Sequence, residues 1–239
     1  MNPHHKMLLS HSAVAAAIAC CVAHAATVVT TDRQEAGATG IPLFTPTYII
    51  SSTNNVLAGL LPSAVGAGNF TIENSGGLPI LTNGTYGSIN NDGSSAATHP
   101  NLAAFGNSVG GSSITYTFAP TQLTSIFVYG GWNDKGRDQQ SYTIQYSINN
   151  GTSYVDLVAV NFNPAAPDPI GQSANRVGVT DNAGPLAGGA IITNLRFNAN
   201  ATENGYAGLA EIAAYAVPEP SVAALGALGV LGLLRRRRA

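Results

Sequence analysis

The stretch from Tyr129 to Tyr142, YGGWNDKGRDQQSY, gathers the groups best suited to hold a small polar ligand. It contains the only tryptophan, Trp132, beside Asn133, Asp134, Lys135, Arg137 and Asp138. A flat indole ring stacks on the apolar face of a sugar while neighbouring amide, carboxylate and guanidinium groups bond to its hydroxyls. The competing reading is that Trp132 closes the core at a strand end and Arg137 pairs with an aspartate in a solvated turn. A second candidate is ATENGYAGLAEI, where Glu203, Asn204 and Tyr206 form a polar loop entering a strand. It reads equally as a tight Asn-Gly turn.

Catalytic constellations are poorer. Beyond residue 25 the only histidine is His99, in a Pro- and Asn-rich stretch that reads as a solvated loop. No G-x-S-x-G elbow accompanies it, so a histidine-dependent nucleophile has no partner. Zinc needs several His or Cys ligands, which the chain cannot assemble. Asp134, Asp138, Glu203 and Glu211 would allow a carboxylate-dependent glycoside hydrolase, for which two of them must face each other across a cleft, a separation that spacing in sequence does not reveal. NNDGSS, Asn90 to Ser95, has the oxygen-rich side chains of a calcium loop. Its single acid, Asp92, falls short of the alternating acidic pattern of an EF-hand.

The elements that would position these groups are strands. Only 9% of residues are charged, while Gly, Ser, Thr and Asn are abundant; this balance favours strands and polar turns over exposed helices. SSITYTFA, TSIFVYGGW, SYTIQYSI, YVDLVAVNF, AIITNLRFNA and LAEIAAYAV recur between turn residues. In the third, Tyr142, Ile144, Tyr146 and Ile148 share one face and Thr143, Gln145 and Ser147 the other, the period of a half-buried strand. Asn150-Gly151 supplies the positive-φ pair of a hairpin. Strands at this spacing predict an all-β sandwich. Residues 27–61 are less regular, and 89–101 read as loop.

The N-terminus has Lys6, an apolar core from Ala13 to Val22 and Ala23-His24-Ala25, which together make a secretory signal peptide over residues 1–25. Cys20 and Cys21 fall inside it, so the remaining chain has neither disulfide nor thiol chemistry and depends on its core for stability. Cys20 after Ala17-Ile18-Ala19 faintly suggests lipid acylation, although the usual leucine is missing. Residues 26–216 carry five Lys or Arg against eleven Asp or Glu, a net charge of −6 masked by the arginines further on. With no basic stripe to displace phosphate counterions, nucleic acid is not an expected partner.

The tail VPEPSVAALGALGVLGLLRRRRA reads physically as a marginal membrane span. Counted from Val217 to Leu234 it would be roughly 27 Å of helix against a hydrocarbon core of about 30 Å. Arg235, Arg236, Arg237 and Arg238 act as a cytoplasmic stop under the positive-inside rule, which leaves the preceding chain outside. Pro218 and Pro220 interrupt any helix, so Glu219 sits in an extended, protease-accessible stretch. Val217, Pro218, Glu219 and Pro220 with the apolar run and arginine cluster resemble the PEP-CTERM sorting signal of Gram-negative bacteria. The same region is also known as an ice-binding-protein C-terminal domain, a name that does not bear on ice here. The resemblance implies recognition and processing by exosortase, an integral-membrane cysteine protease.

From about Glu73 to Tyr215 the chain resembles the galactose-binding-like jelly rolls of the discoidin or coagulation-factor type C group. LTNG at 81–84, SSITYTF at 112–118, YTIQYSINNGTSYVDL at 142–157, NLRF at 194–197 and GLAEIAAY at 208–215 carry the likeness. The resemblance raises a structural calcium site at the 83–84 loop and Glu211, weakened by Asn83 where the family often has aspartate.

The expected architecture is thus a signal peptide (1–25), an all-β jelly-roll β-sandwich ectodomain (26–216) and a sorting tail with a single transmembrane helix (217–239). The expected role is a non-catalytic carbohydrate-binding module without cofactor, exported by the secretory machinery. It would be held transiently in the inner membrane, then sorted by exosortase to the cell surface or an exopolysaccharide matrix. A purely structural surface or biofilm-matrix protein is the alternative, and the glycoside hydrolase a weaker one.

Overall fold

Apolar and hydroxyl-bearing residues alternate through much of the chain after Ser112, and a period of two gives each strand one dry face. The computed structural model describes residues 26–35, 43–90, 99–106, 111–132, 136–164, 173–202 and 205–219. The pattern resolves into two five-stranded antiparallel sheets. The first is ordered β1 (Thr27–Glu35), β10 (Ser173–Asp181), β7 (Leu123–Trp132), β12 (Tyr206–Ala216) and β5 (Ala103–Gly106). The second is ordered β3 (Ala64–Val65), β6 (Ser113–Thr121), β11 (Ile192–Ala199), β8 (Gln140–Ser147) and β9 (Val155–Phe162). A short pair, β2 (Leu43–Phe44) with β4 (Ile89–Asn90), stands apart.

From β6 onward every connection except the β8–β9 hairpin crosses between the sheets, which is jelly-roll connectivity in a β-sandwich. The six strands expected from the sequence are β6, β7, β8, β9, β11 and β12. The expected hairpin is present, with Asn150 at φ 54° and Gly151 at φ 79°. β1, β10 and the short β2 to β5 were not expected, and β4 begins the stretch 89–101 that reads as loop. β1 is an edge strand with most residues exposed, so burial imposes no alternation on its side chains.

Between the sheets, Ile126, Val128, Val177, Val179 and Ile212 meet Ile114, Tyr116, Tyr142, Ile144, Leu195 and Phe197, all fully or almost fully buried. Burial of each such side chain stabilises the fold by roughly 1.5–3 kcal/mol. A second cluster covers the outer face of the first sheet: Tyr86, Tyr129, Trp132 and Ala174 pack under Phe44, Tyr48 and Ile50. Arg176, paired with Asp32 at 3.2 Å, lies over the rings of Tyr48 and Phe127, 5.5 Å from each.

The registers define two ends. Leu123 pairs with Ala216, Ser125 with Thr180 and Thr27 with Asp181, so the chain enters at Ala26 and leaves at Val217 from one end. At the other, Trp132 pairs with Ser173 and Tyr206 with Gly106. The ten residues of β7 separate them by roughly 30 Å. The predicted signal peptide, the apolar run from Ser221 and Arg235 to Arg238 lie outside the described residues. Among the described residues no helix is long and apolar enough to cross a membrane.

Candidate functional site

Trp132 ends β7 and is completely buried. Its ring rests on Gly208 of β12, where a Cβ would lie 2.3 Å from Trp132 Cε3 and 2.2 Å from the Gly131 carbonyl oxygen. The His99 ring packs on it at a centroid distance of 4.4 Å, and the Arg137 guanidinium lies 5.1 Å from the ring centroid. The ring is therefore not the open stacking platform read from the sequence: the hydrophobic gain of enclosing the largest side chain outweighs leaving it wet. His99 is likewise not solvated; its side chain is fully buried.

A carboxylate that the sequence did not single out completes the cluster. Glu73 has φ 54° in a 3-10 turn, Ile72–Asn74, a left-handed conformation that a non-glycine residue adopts only at a cost. Its Oε2 lies 2.6 Å from Arg137 Nη1 and 3.9 Å from His99 Nε2. Arg137 and Glu73 keep 16% and 31% of their side chains exposed, so this pair is where the buried cluster reaches solvent. Backbone contacts fix it: Gly208 N–H donates to the Arg137 carbonyl at 2.7 Å, and Gly76 N–H to the His99 carbonyl at 3.1 Å. Nearby composition was the only sequence signal for Glu73, since Asn-Ser-Gly-Gly follows it and marks a turn.

Trp132 Nε1, Arg137 Nε, Thr202 Oγ1 and Ser112 Oγ are buried at this end without a hydrogen-bond partner among the described residues. A buried unpaired donor costs about 1–3 kcal/mol, so such groups mark where a ligand or water completes the structure. Tyr206, half-buried, lies two residues before Gly208 on β12 and so on the face that carries Trp132. Asn133, Asp134, Glu203 and Asn204 lie outside the described residues.

Asp138 anchors the connection rather than opening to solvent. It is buried, its Oδ2 accepts from Ser173 Oγ at 2.9 Å, and its carbonyl accepts from Asn175 Nδ2 at 2.6 Å. Asn175 Oδ1 in turn receives Gln140 Nε2, whose Oε1 accepts from the Tyr142 hydroxyl at 2.6 Å. This network ties β10 and β8 beneath the Arg137 segment. Burial pushes the Tyr142 phenol well above its usual pKa.

Glu211 is fully buried, and burial raises its pKa from 4.5 to about 8 despite amide donors from Gly84 and Asn83. Gly84 N–H reaches Oε2 at 3.1 Å, while Oε1 has no partner. Calcium takes six to eight oxygen ligands. Here the groups converging on Glu211 are N–H donors, and Asn83 Oδ1 is turned to the Thr85 amide at 2.9 Å and hydroxyl at 2.7 Å. No cluster of three His, Cys, Asp or Glu side chains forms among the described residues. This donor set does not fit calcium. Asp92 lies outside the described residues.

With Asp138 hydrogen-bonded inside and Glu211 buried, neither presents a carboxylate to a cleft, as glycoside hydrolysis would require. At the opposite end the Val217 amide donates to the Gln122 carbonyl at 2.9 Å, and Pro218 and Glu219 follow directly, exposed. Pro220 lies outside the described residues.

No protein-family model matches the chain, and no curated protein is similar to it. Among solved structures it is partly similar to CpGH89CBM32-5 of Clostridium perfringens, in complex with GalNAc-β-1,3-galactose. The identity there is 15%, over 44% of this chain and 66% of that one, with a TM-score of 0.31. It is similar also to an F5/8 type C domain from Bacteroides fragilis: 19% identity, 48% of this chain, 73% of that one, TM-score 0.32. A third is the family 32 carbohydrate-binding module of Streptococcus pneumoniae EndoD: 14% identity, 68% of this chain, 99% of that one, TM-score 0.42. The chain spans just under two thirds of the first of these. The sandwich described above stands on its own strand pairings.

Proposed function

We propose that the protein is an exported, non-catalytic carbohydrate-binding module that contacts sugar through the loop end of its sandwich. The observation that carries this reading is the partly exposed Arg137–Glu73 pair on a base of Trp132 and His99, with unpaired donors at Trp132 Nε1 and Arg137 Nε beside it. Guanidinium and carboxylate side by side offer donors and an acceptor to adjacent sugar hydroxyls. In this reading Trp132 is a positioning residue, and Tyr206 with Asn133, Asp134, Glu203 and Asn204 supplies the rim. The partner class is a neutral or amino-sugar glycan of an exopolysaccharide.

Titration calorimetry of the purified protein against a glycan panel tests it. Arg137→Ala, measured well below its own melting transition, should weaken binding at least about tenfold, the loss of one charge-assisted hydrogen bond. Trp132→Phe should instead lower the melting temperature. Silence across the panel, or wild-type affinity in Arg137→Ala, would sink the proposal.

We further propose that Val217 to Pro220 and Arg235 to Arg238 act as an exosortase sorting signal, with the tail spanning the inner membrane before release to the surface or matrix. The exposed exit of Pro218 and Glu219 straight from the last strand supports access for a protease. Intact mass of the protein from medium and membranes, with and without exosortase in the host, decides: arginines retained in every fraction would refute sorting.

A further inference from the structure

The connections at the end where both termini emerge are chemically uniform. Ala26, residues 51–56, Gln122, the hairpin 148–154 and residues 182–191 contain no Lys, Arg, His, Asp or Glu, and the carboxylates that border them are Asp181 at the end of β10, Asp156 beside Val155 and Glu219 in the exiting chain. Aliphatic side chains stand out from this end instead: Ile148 is 62% exposed, Val155 55% and Ile191 50%. The Asn150 amide donates to Thr193 Oγ1 at 3.1 Å, which sets the hairpin beside the start of β11 and hence beside Ile191.

Charge and chain length both point this end at a membrane. Residues 26–216 carry a net charge of −6, so an anionic headgroup layer repels the body as a whole. The turns that carry no carboxylate are the part that can approach. Val217 is still hydrogen-bonded to Gln122, and the apolar run starts at Ser221. Four extended residues reach at most about 14 Å, against a headgroup layer of roughly 5–8 Å on each side. Such a tether cannot hold this end far from the surface.

We propose that, while the tail is in the membrane, this end of the sandwich rests on the lipid headgroups through Ile148, Val155 and Ile191, which aims the Arg137–Glu73 end outward. The inference rests on the reading of residues 217–238 as a membrane span. Aliphatic groups at the interface and neutral Asn-rich turns among the headgroups suit each other, because neither demands desolvation of a charge.

Full-length protein with Cys20 and Cys21 replaced by serine, and one new cysteine from Ile148→Cys, Ile191→Cys, Asn200→Cys or Leu228→Cys, provides the test. Each is labelled with an environment-sensitive fluorophore and reconstituted in phosphatidylethanolamine–phosphatidylglycerol vesicles carrying spin-labelled lipids. Labels at 148 and 191 should lose most of their emission to a headgroup quencher, the label at 200 none, and the label at 228 should be quenched by an acyl-chain probe. Adding Ile148→Asp should release most of the quenching at 191. If 228 is not quenched, the span reading fails and this inference falls with it. If 228 is quenched while 148 and 191 behave like 200, the inference alone is overturned. Shielding of 148 and 191 that grows with protein concentration and ignores the lipid quencher would assign the surface to a second copy and overturn it too.

Discussion

The two ends of the sandwich are built by different strategies. At the loop end, side chains do the work: Trp132, His99, Arg137 and Glu73 interlock, and Asp138, Ser173, Asn175 and Gln140 form a buried polar network beneath. At the terminus end, backbone conformation shares the work with short polar side chains: Ser147 Oγ accepts from the Asn149 and Gly151 amides, Asn149 Oδ1 accepts from the Ser153 amide, and Gln122 Nε2 donates to the Gly189 carbonyl. Asn150 and Gly151 turn the hairpin, Ala187, Gly188 and Gly189 all take positive φ, and the Ala216 and Val217 amides donate to the Asn54 and Gln122 carbonyls. A region assembled from side chains can be specific for a ligand and is sensitive to every substitution. A region made of neutral turns tolerates change and suits a surface without specific chemistry.

The sharpest way to break this contrast is Gly208→Ala. The new methyl would press on the Gly131 carbonyl and on Trp132, both fixed in paired strands, so neither can yield. We expect a loss of about 4 kcal/mol or failure to fold, read by urea denaturation. At the terminus end Gly184→Ala meets no atom within 4 Å, although its φ of 153° still strains an alanine. It should cost no more than about 1 kcal/mol. Equal losses at the two positions would erase the distinction.

Next in size is the pH response. Glu211 is a buried acid on which pH acts inside the fold. Glu211 has a folded pKa raised from 4.5 to about 8 by burial. The fold therefore favours the neutral carboxyl. That stabilisation is complete below about pH 4.5 and is lost as pH rises through 8. Melting temperature should fall between pH 5 and 9 in wild type and stay flatter in Glu211→Gln, which should be the more stable protein at pH 9. A wild-type profile that rises with pH, or a calcium-dependent shift abolished by Glu211→Gln, would mean that the carboxylate is charged in the fold.

How much of this was legible in the sequence follows the same division. Strands buried on one face announced themselves by alternation, as in Tyr142, Ile144 and Tyr146, and Asn150-Gly151 fixed its hairpin because few residues accept positive φ. β10 was hidden because Arg176 and Gly178 interrupt its outward face while the Val177 and Val179 pair is too short a signal alone. The site was legible in outline and wrong in depth. Trp132 and Arg137 were found, yet burial depends on Gly208, 76 residues away in the chain, which no local pattern reveals. His99 looked solvated because its neighbours are loop formers, and Glu73 looked unremarkable because its role comes from one left-handed backbone angle. Tertiary proximity, not local composition, made both part of the cluster.

The smallest effect tests the terminus end on its own terms. Asn150 sits at φ 54°, and its backbone amide, not its side chain, bonds to Thr193. Asn150→Gly should leave stability within about 0.5 kcal/mol, because glycine adopts this conformation without strain but gives back flexibility in the unfolded chain. Asn150→Ala should cost about 1 kcal/mol, the penalty of a Cβ in left-handed backbone without the local hydrogen bonding that lets asparagine tolerate it. Chemical denaturation of both variants separates the two explanations. If glycine is as damaging as alanine, the Asn150 side chain holds this turn together with Ser147 and Asn149. If only alanine is damaging, Asn150 contributes its backbone conformation alone, and Ser147 and Asn149 supply the side-chain contacts of the turn.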